Sequence, residues 1–591
     1  MDKEILHTVR SVMGCMLVTA LAAGCAQEDI GNDPSEGGGM SATSYVSLSF
    51  ASPQGTPTRS NPTGGETGDG LEKGQANENA ITSAVAFFYQ GTDQKGVNSG
   101  GTTLIKAVVS FNFNNIGNGT DENSTGVDRT YTTLPQQVDL ENGTYNVIVV
   151  ANPGTDRWTG RLLTLADVRD HIQTTAWTVS GSDYSNFVMT SAADATLTLN
   201  SNPESDPATA EVDVERMAAR LDYKTTGTYT CDDPDYESNN QKATVEITGA
   251  ALVNNLTAGS YLLKRVAADV NGVPTYLGNE TPDAGVQTNY VLDPWTAIKT
   301  SANNNFTIGG ETKTAEDLYG EWFGNISQNP NYWAAYVQPG TEVTVGTEKW
   351  QRIGYTLENT TAAEEAGKRY STGVVFKAKF HPAKVTSYTN STYTDGATFF
   401  AYGKTLYASM EDMMIGFYGH KFDNGFSGIE ECKTWGKVRQ FITSTLLTND
   451  PSGYDKYLEG LAEGKADADA VADASSLTWS YYMLNECGYS KDGNGKVVLD
   501  QKGKVTRIAL QRYGTRTYED ATCYYTWWVR HSNDNDDAKG IMEYAIVRNN
   551  IYKITVESIY SLGDPVPGDE ELNVKVYVNN WLLLDPETLP M

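Results

Sequence analysis

The chain has 591 residues, and 74 acidic against 44 basic side chains give it a formal net charge of −30. That imbalance disfavours nucleic acid and anionic membrane surfaces as electrostatic partners. The length allows more than one domain with a sizeable core. The 56 glycines and 34 tyrosines, without helical heptads, point to an extracellular, mainly β protein.

Lys3 and Arg10 form a basic start, and Val12 to Ala22 an apolar stretch. The stretch is shorter than the ~20 residues that span a bilayer, so it reads as part of a signal peptide. It closes in Leu21-Ala22-Ala23-Gly24-Cys25, small residues before a cysteine, similar to a bacterial lipobox. This predicts removal of residues 1–24 and a lipid such as palmitate on Cys25. Gln27-Glu28-Asp29 resembles the acidic export signal of surface lipoproteins, and no later run is apolar enough for a span. The mature chain is therefore expected to be anchored to the outer membrane, not threaded through it. Besides Cys15 and Cys25, the cysteines are Cys231, Cys432, Cys487 and Cys523, with no CxxC pair. The fold is thus expected to rest on cores instead of staples, with disulfide pairing left open.

Residues 26–43 are polar and Gly-rich, a tether. In Tyr45 to Phe50 the residues Val46, Leu48 and Phe50 share one face, the period of a half-buried strand. Residues 52–79 lose periodicity and read as a long loop. Strands are predicted at Ala84–Tyr89, Thr103–Phe113 and Tyr145–Asn152, the last apolar on both faces and so central in its sheet. A helix follows at Leu162–Ile172, with Thr164 as N-cap and Asp167 three residues on. Phe187–Ser191 and Glu211–Tyr223 complete a first unit, which ends near the polar loop 224–242.

A second unit opens with the strand Ala243–Leu252. Its long middle carries predicted helices at Ala315–Trp322, Leu406–Phe417, Trp435–Leu447 and Ala466–Met483. Strands return at Tyr524–His531, Met542–Val547 and Tyr552–Val556. After a turn region from Gly563 to Gly568, Leu572, Val574, Val576 and Val578 alternate strictly on one face, with Trp581 just beyond.

Chemistry is sparse. His7, His171, His381, His420 and His531 are none of them followed by Glu, so there is no HExxH zinc site. Gly68-Asp69-Gly70 lacks the third glycine of a dinucleotide loop. Lys496 stands where a calcium loop starting at Asp492 needs an oxygen ligand, so a hairpin turn is the better reading. Asp467, Asp469 and Asp473 read as a solvated helix face, and Phe426-Ser427-Gly428 is no nucleophile elbow. No catalytic residue, metal or cofactor is expected, and the chain does not read as an enzyme. The aromatic strand from Tyr524 suits either a carbohydrate platform or a core, with the core reading ahead.

Taken in order, several segments resemble the fimbrillins of Bacteroides and Porphyromonas, the subunits of type V pili, and especially the minor fimbrium shaft subunit. They are the lipobox at Cys25, the first strand followed by Arg59, Tyr145 to Asn152, Phe187 to Ser191, Val214-Glu215-Arg216-Met217-Ala218-Ala219-Arg220, and Tyr524 through Trp581. The resemblance implies a mainly β fold with helical insertions, built as two tandem transthyretin-like β-sandwich domains. It divides the chain into a signal peptide (1–24), a tether with a removable first strand (25–59), an N-terminal domain (60–225) and a C-terminal domain (226–591). It further implies that an arginine-specific protease cuts between Arg59 and Ser60, releasing Val46, Leu48 and Phe50. Lys73 is a rival site for a less selective enzyme. The groove left behind would accept a donor strand from a neighbouring subunit, here Leu572, Val574, Val576 and Val578, with Trp581 as end anchor and residues 563–568 as hinge. Other fimbrial subunits and host or bacterial surface ligands are then the partners, and adhesion and biofilm formation the outcome. Two other readings stay open on the residues alone: a surface glycan-binding lipoprotein of a polysaccharide-uptake system, and a hydrolase whose site is assembled only in space. An ordinary edge strand folded on its own subunit is the rival reading of the terminal strand.

Overall fold

The computed structural model describes residues 43–51, 71–91, 103–112, 131–154, 158, 163–169, 171–180, 183–266, 291–295, 305–308, 311–323, 330–361, 367, 370–409, 412–413, 416, 515–531, 542–568 and 573–582. Within them the protein is mainly β, with short helices. The period-two stretches pair into sheets because alternation leaves one apolar face to bury on each strand.

The first large sheet contains Ile105–Asn112, Ser83–Tyr89, Gly143–Ala151, Met189–Ser191, Ala208–Arg216 and Thr43–Ala51 in that order. Ala195–Leu199 pairs with Gly143–Ala151, while Gln136–Asp139 and Tyr131–Thr132 pair with Thr43–Ala51. The strand Ala208–Arg216 changes partner along its length. Its first half runs parallel to Thr43–Ala51 and its last residues antiparallel to Met189–Ser191. This turns the sheet over on itself, so Val46, Leu48 and Val138 share one core with Phe88, Val147 and Val149. The opposite face, with Phe87, Ile148 and Val150, is covered by Trp158, Leu165, Trp295 and Trp322. Gly143–Ala151 is accordingly buried on both faces, as its composition predicts.

The second core lies between two sheets. Six strands run in the order Leu71–Lys73, Asn573–Leu582, Asn550–Ser558, Ala219–Lys224, Glu348–Thr356 and Thr341–Val345. Four run Thr228–Thr230, Thr244–Val253, Gly373–His381 and Thr522–Trp528. Leu221, Ile554 and Val576 of the first meet Val245, Phe376 and Tyr525 of the second, which makes this a β-sandwich. Cys231 and Cys523 are buried in this core as free thiols. The chain passes from the first sheet to the six-stranded one at Met217–Ala218, ahead of the loop 224–242 where the sequence places the boundary.

Local differences have local causes. The helix predicted over Leu162–Ile172 spans only Leu165–Arg169, and Ile172–Gln173 is extended. Its start is as expected: Thr164 N–H donates to Asp167 Oδ2 at 2.7 Å, and Asp167 N–H donates back to Thr164 Oγ1 at 3.2 Å. Glu211–Tyr223 falls in two strands, Ala208–Arg216 and Ala219–Lys224. Ala315–Trp322 is helical only over Ala315–Leu318. Leu406 opens no helix, and of the segment predicted helical to Phe417 only residues 412–413 and 416 are so among the described residues. Gly403, at φ +56°, turns the chain so that Thr405–Tyr407 folds back as a strand on Phe399–Tyr402. Met542–Val547 is turn and loop, not strand, with Ile546 bridged to Asn359. All six of its residues are buried, so alternation there carries no directional signal. Trp435–Leu447 and Ala466–Met483 lie outside the described residues, as do Cys432 and Cys487.

Candidate functional site

The first strand, Thr43–Ala51, is internal to its sheet. On one side it runs parallel to Ala208–Arg216, from Val46 opposite Ala208 to Ala51 opposite Asp213. On the other it is antiparallel to Gln136–Asp139 and then to Tyr131–Thr132. Between those two short strands stands Pro135, which has no N–H to give, and Thr133 continues the bonding. Thr133 N–H donates to the Leu48 carbonyl at 2.9 Å, Leu48 N–H donates to Thr133 Oγ1 at 2.9 Å, and Ser47 Oγ donates to the Thr133 carbonyl at 2.8 Å. Val46, Leu48 and Phe50 are 0% exposed. Taking this strand out would leave unpaired backbone on both walls and three empty apolar slots between them.

The terminal strand, Asn573–Leu582, lies antiparallel to Asn550–Ser558, with Tyr552 opposite Val578 and Ile554 opposite Val576. Val576 and Val578 are buried in the sandwich core, and Val574 packs half-buried against it. The strand is thus seated in its own subunit. On its other edge only Leu71–Lys73 pairs with it among the described residues, parallel, with Glu72 opposite Trp581. Leu572 lies outside the described residues, as do Cys25, Arg59 and Ser60. Lys73, the rival cleavage position, is backbone-paired to Leu582 and so a poor protease substrate. The turn region Gly563 to Gly568 is packed down: Tyr524 N–H donates to the Asp564 carbonyl at 2.7 Å and Asp564 N–H donates back at 2.9 Å. Val566 is buried against Trp333 and Tyr524. A departing terminal strand would pivot beyond this segment, not within it.

Beside the terminal strand lies a buried network of charges that the sequence did not reveal. Arg220, fully buried, donates from Nη1 to Glu78 Oε2 at 2.9 Å, from Nη2 to Asp222 Oδ2 at 2.8 Å, and from Nη2 to Glu72. Lys553 Nζ donates to Glu72 Oε2 at 2.5 Å and stands 4.3 Å from the Trp350 ring centroid. Arg216 donates to the Glu78 carbonyl at 3.1 Å and to the Asn79 side chain, and Tyr355 donates its hydroxyl to Glu78. The cations Arg216, Arg220 and Lys553, with Arg352 3.9 Å from Glu78, face the carboxylates Glu72, Glu78 and Asp222. That pairing makes the desolvation tolerable. Burial opposes the Arg220 charge, but Asp222, Glu78 and Glu72 outweigh it and raise its pKa. Burial lowers that of Arg216 to about 10 against the pull of Glu78. Asn579 of the terminal strand reaches the same Glu72 carboxylate at 3.4 Å. The available sequence signal was Arg216 and Arg220 inside an apolar run, which demands buried counter-ions. Glu72 and Glu78 lie in the stretch 52–79 that the sequence reads as loop, where the structure has the strand Leu71–Lys73 and the helix Ala76–Asn79.

The aromatic strand Thr522–Trp528 is core: Tyr524, Tyr525 and Trp527 are all buried, which leaves no open platform there.

Residues 516–586 match the family model described as "Major fimbrial subunit protein type IV, Fimbrillin, C-terminal". Over those residues the chain is similar to a fimbrillin C-terminal region. The matched region contains the aromatic strand, the packed turn, and the strand pair Asn550–Ser558 and Asn573–Leu582. No curated protein sequence matches the chain. Solved structures that superpose on it include a protein described as a cell-adhesion protein from Parabacteroides distasonis, at 11% identity and TM-score 0.37, covering 91% of this chain and 100% of that one. A fimbrilin from Porphyromonas gingivalis superposes at 13% identity and TM-score 0.29, covering 91% and 98%. The C-terminally truncated tip fimbrial protein Mfa3 from the same organism does so at 8% identity and TM-score 0.30, covering 91% and 100%.

Proposed function

We propose that the protein is a non-enzymatic structural subunit of a cell-surface fimbria, made as an outer-membrane lipoprotein acylated on Cys25. An arginine-specific protease cuts after Arg59, Ser60 becomes the mature N-terminus, and the first strand leaves. A neighbouring subunit then fills the groove with its terminal strand, through Leu572, Val574, Val576 and Val578 with Trp581 at the end. A subunit that both gives and receives a strand suits a shaft, and the finished fibre serves adhesion and biofilm formation. The observation that carries this reading is the seat of Thr43–Ala51: a strand at the chain's start, internal to its sheet, with Val46, Leu48 and Phe50 fully buried. The fimbrillin match supports the same reading from the other end of the chain. The buried Glu72 and Glu78 network suits it too, since a chain cut after Arg59 keeps its new N-terminal segment fastened to Arg220 and Lys553. The rival glycan-uptake reading gains nothing from the aromatic strand, which is buried.

The test is a lock. Thr555 and Lys575 stand opposite one another across the antiparallel pair, a spacing of ~4.5–5.5 Å between Cα atoms that a disulfide bridges. Cells making Thr555→Cys/Lys575→Cys should display no fibres by negative-stain microscopy until a reductant opens the bond. Normal fibres with the bond closed, verified by thiol labelling, would show that the terminal strand is not the donor.

A further inference from the structure

A cleft of about 290 Å³ opens beside the strand Glu348–Thr356, near the lower end of the ~300–1,000 Å³ typical of small-molecule sites and room for one sugar-sized ring. Two β-bulges shape it. Pairing skips Ile353 between Leu221–Gly354 and Asp222–Arg352, and skips Thr248 between Ile247–Ala378 and Gly249–Lys377. Bulges re-aim side chains where pairing is interrupted. Two glycines let the crossing segment 338–340 lie directly on these strands. A Cβ on Gly249 would stand 2.7 Å from the Gln338 carbonyl carbon, and one on Gly340 would stand 2.7 Å from the Arg352 carbonyl oxygen.

The lining is unusual for this chain. In a protein of net charge −30, the described residues that line the cleft include no carboxylate and one cation, Arg352. Its guanidinium is flanked by the rings of Tyr355 and Tyr184, at 5.4 and 5.6 Å from their centroids. Nη1 donates to the Tyr355 hydroxyl at 3.0 Å and lies 3.9 Å from Glu78, which is mainly engaged with Arg220 and Tyr355. Nε and Nη2 bond no protein atom among the described residues. Gln338 spends its Nε2 on the carbonyls of Ala334 and Ala335, leaving its side-chain oxygen to accept. Tyr336 adds a third tyrosine to the lining.

We propose that this cleft binds a carboxylate-bearing sugar ring, a hexuronic acid unit of a surface glycan. The two open Arg352 donors take the carboxylate in a charge-assisted bond, the tyrosine rings take the apolar face of the pyranose, and Gln338 and the Tyr184 hydroxyl take its hydroxyls. Such a site gives the protein a recognition function of its own, separate from how subunits join, and stands whether or not the terminal strand is a donor.

The experiment titrates methyl glucuronide and methyl glucoside into the full chain carrying Cys25→Ser, followed by ligand-observed NMR. The glucuronide should bind about tenfold more tightly, the worth of one charge-assisted hydrogen bond. Arg352→Gln should erase that preference, and Tyr184→Ala should weaken both sugars, each with an unchanged melting profile. Equal binding of the two sugars, binding of neither, or a preference that survives Arg352→Gln overturns the assignment. So does tighter binding of a short peptide through its free C-terminal carboxylate.

Discussion

Phe50→Ala has a consequence that depends on whether the first strand is still in place. The ring is fully buried in the core shared with Phe88, Val147 and Val149. Deleting such a ring costs about 3–5 kcal/mol, part transfer free energy and part residual cavity. In the uncut chain, held uncut by Arg59→Ala, the whole loss should appear as a lower urea midpoint. In fibres assembled from cut protein the strand is gone, so the same substitution should be silent. The loss also falls on the seated state alone, so the equilibrium for strand release after cleavage should shift by roughly 10² to 10³·⁵. Cut Phe50→Ala protein should therefore assemble faster than wild type. The assay compares urea unfolding by tryptophan fluorescence in the uncut and fibre forms, with light scattering for assembly. An equal destabilisation in washed fibres would mean the strand never leaves, and the reasoning would fail.

The remaining expectations are narrower. Glu72→Gln leaves Arg220 and Lys553 short of a buried counter-charge and should cost about 3–5 kcal/mol; a cost below 1 kcal/mol in chemical denaturation would place the ion pairs in water. Burial pushes the Asp194 carboxyl up to about 6, against Arg169 and Tyr89, so the folded chain holds this proton more tightly than the unfolded one, whose value is near 3.8. The stability from this group is therefore full below about pH 4 and lost as pH rises through about 6, and Asp194→Asn should flatten that slope in urea midpoints taken from pH 4 to 7. Burial raises the Cys523 thiol to about 12, so it should resist alkylation in the native protein and react after unfolding, as mass spectrometry would register. A fatty-acid probe should label the wild type and not Cys25→Ser, and N-terminal sequencing of fibres should begin at Ser60; labelling of both, or a start upstream of Tyr45, would count against the processing scheme.

Period-two patterns were legible wherever one face of a strand meets a core and the other does not. Val46, Leu48 and Phe50 on one side of the first strand, and Val574, Val576 and Val578 on one side of the last, follow from alternation alone. Strand existence at Ala84–Tyr89 and Tyr145–Asn152, and the Thr164–Asp167 cap, were readable for the same local reason. Alternation failed where every side chain is buried, as over Met542–Val547, and where a single glycine reversed the chain, as before Thr405–Tyr407. The sequence alone determined which residues are apolar neighbours along a strand, and the local bonds that start helices and turns. Only the tertiary structure decided which strands lie beside which. It set Thr43–Ala51 parallel to a strand some 160 positions later and seated Asn573–Leu582 in its own subunit. It also brought Glu72 and Glu78 to Arg220 and Lys553, and Arg352 to Tyr184. The reason is physical: period and propensity act over a few residues, whereas pairing partners and buried counter-charges are chosen by closing loops over hundreds.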